Sequence, residues 1–258
     1  MDLDLKGKTA LVTGSTAGIG LAIATALAKE GTTVIVNGRT QERVDRAMSA
    51  SGAAHGVAAD LATEAGARLV IDRFPEVDIL VNNLGIFEPK PFEEIPDDDW
   101  RRFFEVNVLS GVRLSRHYIG PMKRKNWGRI VFISSESGLQ IPKEMIHYGV
   151  TKTAQIAVAR GLAETTASTG VTVNTVLPGP TRSEGVAAFV GRLADAAGVD
   201  TAAIERDFFT KARPSSLLQR FATTEEVAAV VAFVCSPLAS AINGSAVRAE
   251  GGVLQSIA

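Results

Sequence analysis

Seven short runs rich in β-branched residues punctuate the chain: TALVT (9–13), TVIVN (33–37), HGVAA (55–59), DILVN (78–82), RIVFIS (129–134), VTVNTVL (171–177) and SAVRA (245–249). Between them lie longer, alanine-rich stretches with helical spacing, near 18–30, 41–50, 63–73, 99–125, 147–168 and 224–235. This alternation predicts βαβ units and an α/β fold built on a parallel sheet. Runs such as ILV and IVFI are continuously apolar, as strands are when helices cover both faces. A doubly wound parallel sheet of about seven strands is therefore expected, in one domain spanning 1–258. One connection, roughly 179–216, is too long for a plain loop and carries Phe189, Phe208 and Phe209 between proline-rich ends. That length is typical of a lid over a site.

Composition narrows the function classes. The 258 residues carry a formal net charge of −1, and like charges are not clustered. This gives no electrostatic footprint for nucleic acid or anionic lipid. No apolar run reaches membrane-spanning length, and the first residues lack the basic and apolar regions of a signal peptide, so a cytoplasmic location is expected. Cys235 is the one cysteine, set in the apolar stretch VVAFVCS, where packing is the expected role. No metal-ligand spacing is present, and no protein metal site is expected.

The first strand runs into Thr13-Gly14-Ser15-Thr16-Ala17-Gly18-Ile19-Gly20 and then directly into a helix. Gly14 suits the tight turn, Gly18 a close approach to a pyrophosphate, and Gly20 close helix–strand packing. The helix N-terminus supplies N–H groups and a positive dipole end for the phosphates. After the second strand, a site for NAD commonly places a carboxylate against the ribose 2′-hydroxyl. Here the chain reads Val36-Asn37-Gly38-Arg39-Thr40. The acid is missing, and a guanidinium can pair with a 2′-phosphate. NADP(H) is favoured, with NAD(H) the alternative if Asn37 or Thr40 reads the ribose and Arg39 is merely solvated. Asp60, after the third strand, can accept from an adenine amino group or cap the next helix.

Tyr148 and Lys152 in HYGVTK share a helix face at i and i+4. An ammonium beside a phenol favours the phenolate, which makes the pair a candidate general acid/base. Bringing a phenol down from its ordinary pKa of about 10 by two to three pH units corresponds to roughly 3–4 kcal/mol. Alone, such a pair is more often plain helix surface.

Taken in order, TGSTAGIG, Asp60, NNLG (82–85), Asn107 in VNVLSG, Ser135 in IVFISSESG, Tyr148-x-x-x-Lys152 and Pro178-Gly179 resemble the short-chain dehydrogenase/reductase family over nearly the whole chain. The resemblance implies a Rossmann-type fold and a catalytic tetrad of Asn107, Ser135, Tyr148 and Lys152. In that scheme Tyr148 is the acid/base and Ser135 steadies the substrate oxygen. Lys152 depresses the tyrosine pKa and holds the nicotinamide ribose, and Asn107 holds a water linking Lys152 to solvent. Ser135, 13 positions before Tyr148, is preferred over Ser134, which is expected to be a strand-end hydroxyl near the cofactor. The implied cofactor set is Gly14, Ser15, Thr16, Gly18, Ile19, Gly20, Arg39, Asp60, Leu61, Asn83, Gly85, Tyr148, Lys152, Pro178, Gly179, Thr181 and Ser183. Leu84 replaces the family's alanine, and Glu250-Gly251-Gly252 keeps an acid before two glycines. The family also implies a homotetramer or homodimer, with the apolar end VLQSIA at an interface or inside the subunit.

The implied activity interconverts a carbonyl and a secondary alcohol of a small molecule. On the substrate side lie Glu136, Gln140 and Glu144, with Gly138 as a turn residue, Ile141 as a pocket wall and His147 directed away along the helix. These polar groups suit a hydroxylated substrate, or they face solvent. Arg192, Arg206, Lys211 and Arg213 in the lid can meet an anionic substrate group or form a solvated face. A 3-oxoacyl thioester, a polyol or sugar and a small ketone all stay open. The other classes are a nucleotide sensor without catalysis and an isomerase or dehydratase that recycles its cofactor.

Overall fold

The computed structural model describes residues 2–257, with the side chain of Phe189 outside the described set. The seven apolar runs form strands β1 (Thr9–Val12), β2 (Thr33–Gly38), β3 (His55–Ala58), β4 (Ile79–Asn82), β5 (Gly128–Ile133), β6 (Val171–Pro178) and β7 (Ala246–Ala249). All pair in parallel, in the order β3-β2-β1-β4-β5-β6-β7. The helices are α1 (Gly18–Lys29), α2 (Gln41–Ser51), α3 (Glu64–Arg73), α4 (Asp97–Phe104), α5 (Ser110–Lys125), α6 (Ile146–Glu164), α7 (Glu184–Ala197), α8 (Thr201–Asp207) and α9 (Thr224–Val234).

Side chains alternate across a strand, and this divides the core in two. Val12, Val34, Val36 and Val81 meet Ile23 and Leu27 of α1, Val44 of α2 and Val227 and Val231 of α9 on one face. Leu11, Ile35, Leu80 and Ile130 meet Val70 of α3, Leu114 and Tyr118 of α5 and Ala159 of α6 on the other. Each fully buried aliphatic side chain contributes about 1.5–3 kcal/mol, so both faces anchor the sheet. The strand order reverses between β1 and β4. That switch point is where an open α/β sheet leaves a crevice at the carboxyl ends of its strands.

Two expectations need correction. The stretch read as one helix over 99–125 is broken by a π-helical turn at Glu105–Leu109 between α4 and α5. The segment 179–216, for which no helix was expected, contains α7 and α8 followed by a second π-helical turn at Phe208–Ala212. Its local signals are ordinary: Ser183 and Asp200 cap the two helices through Val186 N and Ala203 N, and Gly198 closes α7 in the left-handed region. The segment packs through Phe208 and Phe209 onto Phe221, with ring centroids 5.1–5.2 Å apart. At the C-terminus, Val253 and Leu254 are buried inside the subunit, held by the Glu250 carboxylate, which accepts from both of their N–H groups.

Candidate active site

The glycine-rich turn after β1 is held from both sides. Asn83, after β4, donates Nδ2 to the carbonyls of Thr13 and Gly14 at 3.0 and 3.1 Å. Thr13 Oγ1 accepts from the N–H groups of Asn83 and Leu84, so leucine in place of the family's alanine leaves these backbone contacts intact. Gly18 has φ +55°. A Cβ on Gly20 would lie 2.4 Å from Asn83 Nδ2 and 2.5 Å from the Gly14 carbonyl. The N-cap of α1 is Ala17, which offers no side-chain acceptor, and the first turn carries no acid. Its leading N–H groups and dipole are thus available to phosphates. These features fit a dinucleotide pyrophosphate.

Several residues expected at the cofactor have side chains that serve the scaffold. Ser15 is buried; its Oγ donates to the Val12 carbonyl at 2.7 Å and accepts from Asn37 N at 2.9 Å. Asn37 accepts from Gly14 N at 3.2 Å and donates to the Val57 and Ala59 carbonyls. Its amide is committed to backbone, which removes it as a ribose reader. The Leu61 side chain lies in the core. Thr16 packs against Gly38, where an added Cβ would meet its Cγ2 at 2.3 Å. Thr63, rather than Asp60, caps α3, through Gly66 N at 3.0 Å. Asp60 is exposed and accepts from Ala62 N in a local turn. Arg39 is exposed just beyond the end of β2.

A cavity of about 500 Å³ opens next to the glycine-rich turn. Ile19, Asn83, Gly85, Pro178, Gly179, Thr181 and Ser183 line it, as do Ser135, Glu136, Glu144, Tyr148 and Lys152; Gly85 and Lys152 are neighbours, a Cβ on the glycine falling 3.4 Å from Lys152 Nζ. Ile86, Phe87, Met145, Val190 and Phe208 add apolar wall. Gln140 and Ile141, expected on the substrate side, are exposed and do not line it. Of the four basic residues expected to meet an anionic substrate group, Arg213 lines the cavity; Arg192 and Arg206 are exposed, and Lys211 pairs with Asp207. His147 is buried, its ring centroid 4.0 Å from that of Phe103 and 6.1 Å from that of Trp100, and is no substrate contact.

Tyr148 sits in the first turn of α6 and Lys152 one turn later, with Lys152 Nζ 5.6 Å from the Tyr148 ring centroid. Lys152 Nζ donates to the Ile133 carbonyl at 2.9 Å and to Gln155 Oε1 at 3.1 Å. Ser134, expected near the cofactor, donates to the Lys152 carbonyl at 2.8 Å and ties β5 to α6. Burial lowers the Lys152 pKa to about 7, against the opposing pull of Glu136. The Tyr148 phenol moves the other way. Burial and the Glu136 charge push its pKa up, beyond what Ser135 and Arg213 offset. Desolvation and a nearby anion both disfavour phenolate.

Asn107 occupies the π-helical turn, a distortion frequent at functional sites. Its Oδ1 accepts from Ile86 N at 2.8 Å, and its Nδ2 donates to the Ile86 carbonyl and to Thr151 Oγ1. Gln155, which the motif reading passed over, donates Nε2 to the Asn107 carbonyl at 2.6 Å. A side-chain amide thus joins the Asn107 carbonyl to Lys152. The signal was present in sequence: Gln155 lies at i+3 from Lys152 on the same helix face.

Comparison with known proteins agrees with this geometry. The chain is 49% identical over 263 residues to the uncharacterized oxidoreductase YvaG of Bacillus subtilis (strain 168), covering 100% of both chains. It is 35% identical to the 3-oxoacyl-[acyl-carrier-protein] reductase FabG of Aquifex aeolicus (strain VF5), covering 98% of this chain and 100% of that one. The crystal structure of L-sorbose reductase from Gluconobacter frateurii, complexed with NADPH and L-sorbose, superposes with a TM-score of 0.92 at 31% identity and full coverage of both chains. A family model described as short chain dehydrogenase matches residues 8–191. With the glycine-rich turn, the Tyr148–Lys152 pair and the parallel sheet in that arrangement, the chain belongs to the short-chain dehydrogenase/reductase family.

Proposed function

We propose that this protein is an NADP(H)-dependent oxidoreductase that interconverts a carbonyl and a secondary alcohol on a small molecule. The observation that carries this reading is the convergence of Ser135, Tyr148 and Lys152 in one cavity with the open helix N-terminus of α1. The nicotinamide, when bound, supplies or takes the hydride. The chain's own residues orient and manage protons. Tyr148 passes its phenolic proton to the substrate oxygen, and Ser135 donates to that oxygen as charge develops. Lys152 stands against the ribose, and in its charged form favours the phenolate of Tyr148. Asn107 and Gln155 hold Lys152 in register.

Arg39 favours NADPH by pairing with the 2′-phosphate, in keeping with the NADPH complex of the sorbose reductase. Gly179, Thr181 and Ser183 stand at the nicotinamide end, and Asp60 at the adenine end. The 179–216 segment acts as the lid of a single catalytic domain. The working form is a cytoplasmic homotetramer or homodimer, which sedimentation checks.

Titration of nicotinamide fluorescence with NADPH and NADH tests the cofactor reading, in wild type and Arg39→Ala. Selective weakening of NADPH binding in Arg39→Ala supports it. Equal binding of both cofactors, indifferent to Arg39, refutes the NADP(H) preference. Carbonyl-dependent NADPH consumption, with one alcohol formed per NADPH, tests the reaction. Consumption without an alcohol product contradicts it.

A further inference from the structure

Glu136 is a buried carboxylate immediately beside the reacting centre, and every atom of it is assigned. Its Oε1 accepts from Arg213 Nε at 3.2 Å and from Ser137 Oγ at 3.2 Å. Its Oε2 accepts from Ser135 Oγ. Arg213 is itself pinned, with Nη1 3.4 Å from Glu144 Oε1 and 2.9 Å from the Ala212 carbonyl. Both side chains of the Arg213–Glu136 pair are close to fully buried, at 11% and 6% exposure. The carboxylate is therefore fixed in direction, with one oxygen turned to Ser135.

That contact creates a conflict. A serine hydroxyl has one hydrogen to give. Ser135 gives it to Glu136, while its lone pairs accept from Ser137 N at 3.1 Å. To steady a substrate carbonyl oxygen, Ser135 must turn that hydrogen away from Glu136. A buried acceptor stripped of its donor is penalised, and so a substrate gains by bringing a replacement donor. The replacement must lie within one or two atoms of the carbonyl carbon, because Oε2 is within hydrogen-bond reach of the same Oγ that meets the carbonyl oxygen.

Resting on the oxidoreductase reading above, we infer that Glu136 recognises a hydroxyl on the carbon next to the reacting carbonyl, so that the substrates are α-hydroxy ketones and the products vicinal diols. In the reduction, the hydride of NADPH adds to the carbonyl carbon and the Tyr148 proton to its oxygen. NADPH is oxidised to NADP+, the ketone is reduced to the alcohol, and Tyr148 regains a proton from solvent. The neighbouring hydroxyl donates to Glu136 Oε2 throughout and is not consumed. An adjacent carboxylate is disfavoured, because two carboxylates, Glu136 and Glu144, already face the single guanidinium of Arg213. A 3-oxoacyl thioester is disfavoured too, since it carries no donor on the carbon beside its ketone.

The test compares kcat/KM with NADPH for 1-hydroxy-2-butanone, 2-butanone, 2-oxobutanoate and acetoacetyl-CoA. Wild type is expected to prefer the hydroxy ketone to 2-butanone by at least about tenfold, the worth of one hydrogen bond to a charged group. In Glu136→Gln the ratio of these two substrates falls toward one; the ratio is read, not the absolute rate. Calorimetry on the NADP+-loaded protein gives a second readout that needs no turnover: (R)- or (S)-1,2-butanediol binds more tightly than 2-butanol. A wild-type ratio near one overturns the inference, as does preference for 2-oxobutanoate, which would assign recognition to Arg213. Preference for acetoacetyl-CoA overturns it in favour of thioester reduction. In each of those cases carbonyl reduction itself still stands. No NADPH consumption with any of the four, and no diol binding, overturns the parent reading and this inference together.

Discussion

Gln155 donates its side-chain amide hydrogen to the Asn107 main-chain carbonyl at 2.6 Å. The amide's other end accepts from Lys152 Nζ at 3.1 Å. Its orientation is fixed by chemistry, since an ammonium only donates and a carbonyl only accepts. The link spans α6 and the π-helical turn, and it helps to set the position of the lysine.

Replacing Gln155 with leucine keeps the volume and removes both hydrogen bonds. Lys152 Nζ keeps the Ile133 carbonyl, so the buried Asn107 carbonyl is the group left short of a partner, at about 1–3 kcal/mol. For a chain of this size the melting temperature should fall by roughly 2–12 °C, with kcat reduced about tenfold and nucleotide affinity changed less. Thermal melts and steady-state kinetics check this. An unchanged melt would mean that the link contributes nothing.

Lys152 makes stability depend on pH with a definite sign. Its pKa is about 7 in the folded protein against an ordinary 10.5. Between these values the unfolded chain binds more protons, so this group's contribution to stability rises with pH. The penalty for burying it is complete below about pH 7 and disappears toward 10.5. Lys152→Met should therefore gain stability relative to wild type most at pH 6, and the difference should shrink by pH 10. Melts at both pH values measure it.

Glu136 raises the pKa of both Tyr148 and Lys152. Glu136→Gln removes that charge, so both groups titrate lower. In the alcohol-oxidation direction, which needs a deprotonated acid/base, the acidic limb of the kcat/KM profile should move to lower pH. A pH–rate profile with any accepted alcohol decides this. A limb that stays in place would show that Glu136 does not reach Tyr148 electrostatically.

Gly20→Ala introduces a Cβ into space already held by Asn83 Nδ2 and the Gly14 carbonyl. Overpacking of this kind costs about 1–3 kcal/mol, and here it displaces the turn that faces the pyrophosphate. Melting temperature and NADPH affinity should fall together. Loss of stability with unaltered NADPH binding would separate the turn from the nucleotide site.

Much of this was legible in the residues. All seven strands appear where apolar β-branched runs placed them, because buried parallel strands leave few polar positions to confuse the pattern. Helix α1 and the glycine-rich turn follow from local chemistry in the same way. The π-helical turn at Asn107 was hidden, since EVNVL suits a helix of either spacing and tertiary packing selects the distortion. Helices α7 and α8 are marked at their ends by Ser183, Gly198 and Asp200, but proline-rich flanks mask those caps along the sequence.

The site divided along the same line. Motif positions found the cavity, but residue type alone could not say which hydroxyls and amides were already spent. Ser15 and Asn37 satisfy each other and the backbone. Gln140 and Glu136 looked alike in sequence, yet only Glu136 turns inward, and its partner Arg213 lies 77 positions away. Such pairing is set by the tertiary fold, and no periodicity along the chain carries it.

The proposed acid/base of the carbonyl–alcohol chemistry is Tyr148. Its test is kcat for NADPH-dependent reduction of an accepted ketone by Tyr148→Phe, alongside its NADPH affinity. A loss of about 10²–10⁴ in kcat is expected, with NADPH bound nearly as well as by wild type. A Tyr148→Phe protein that keeps most of its turnover would contradict it.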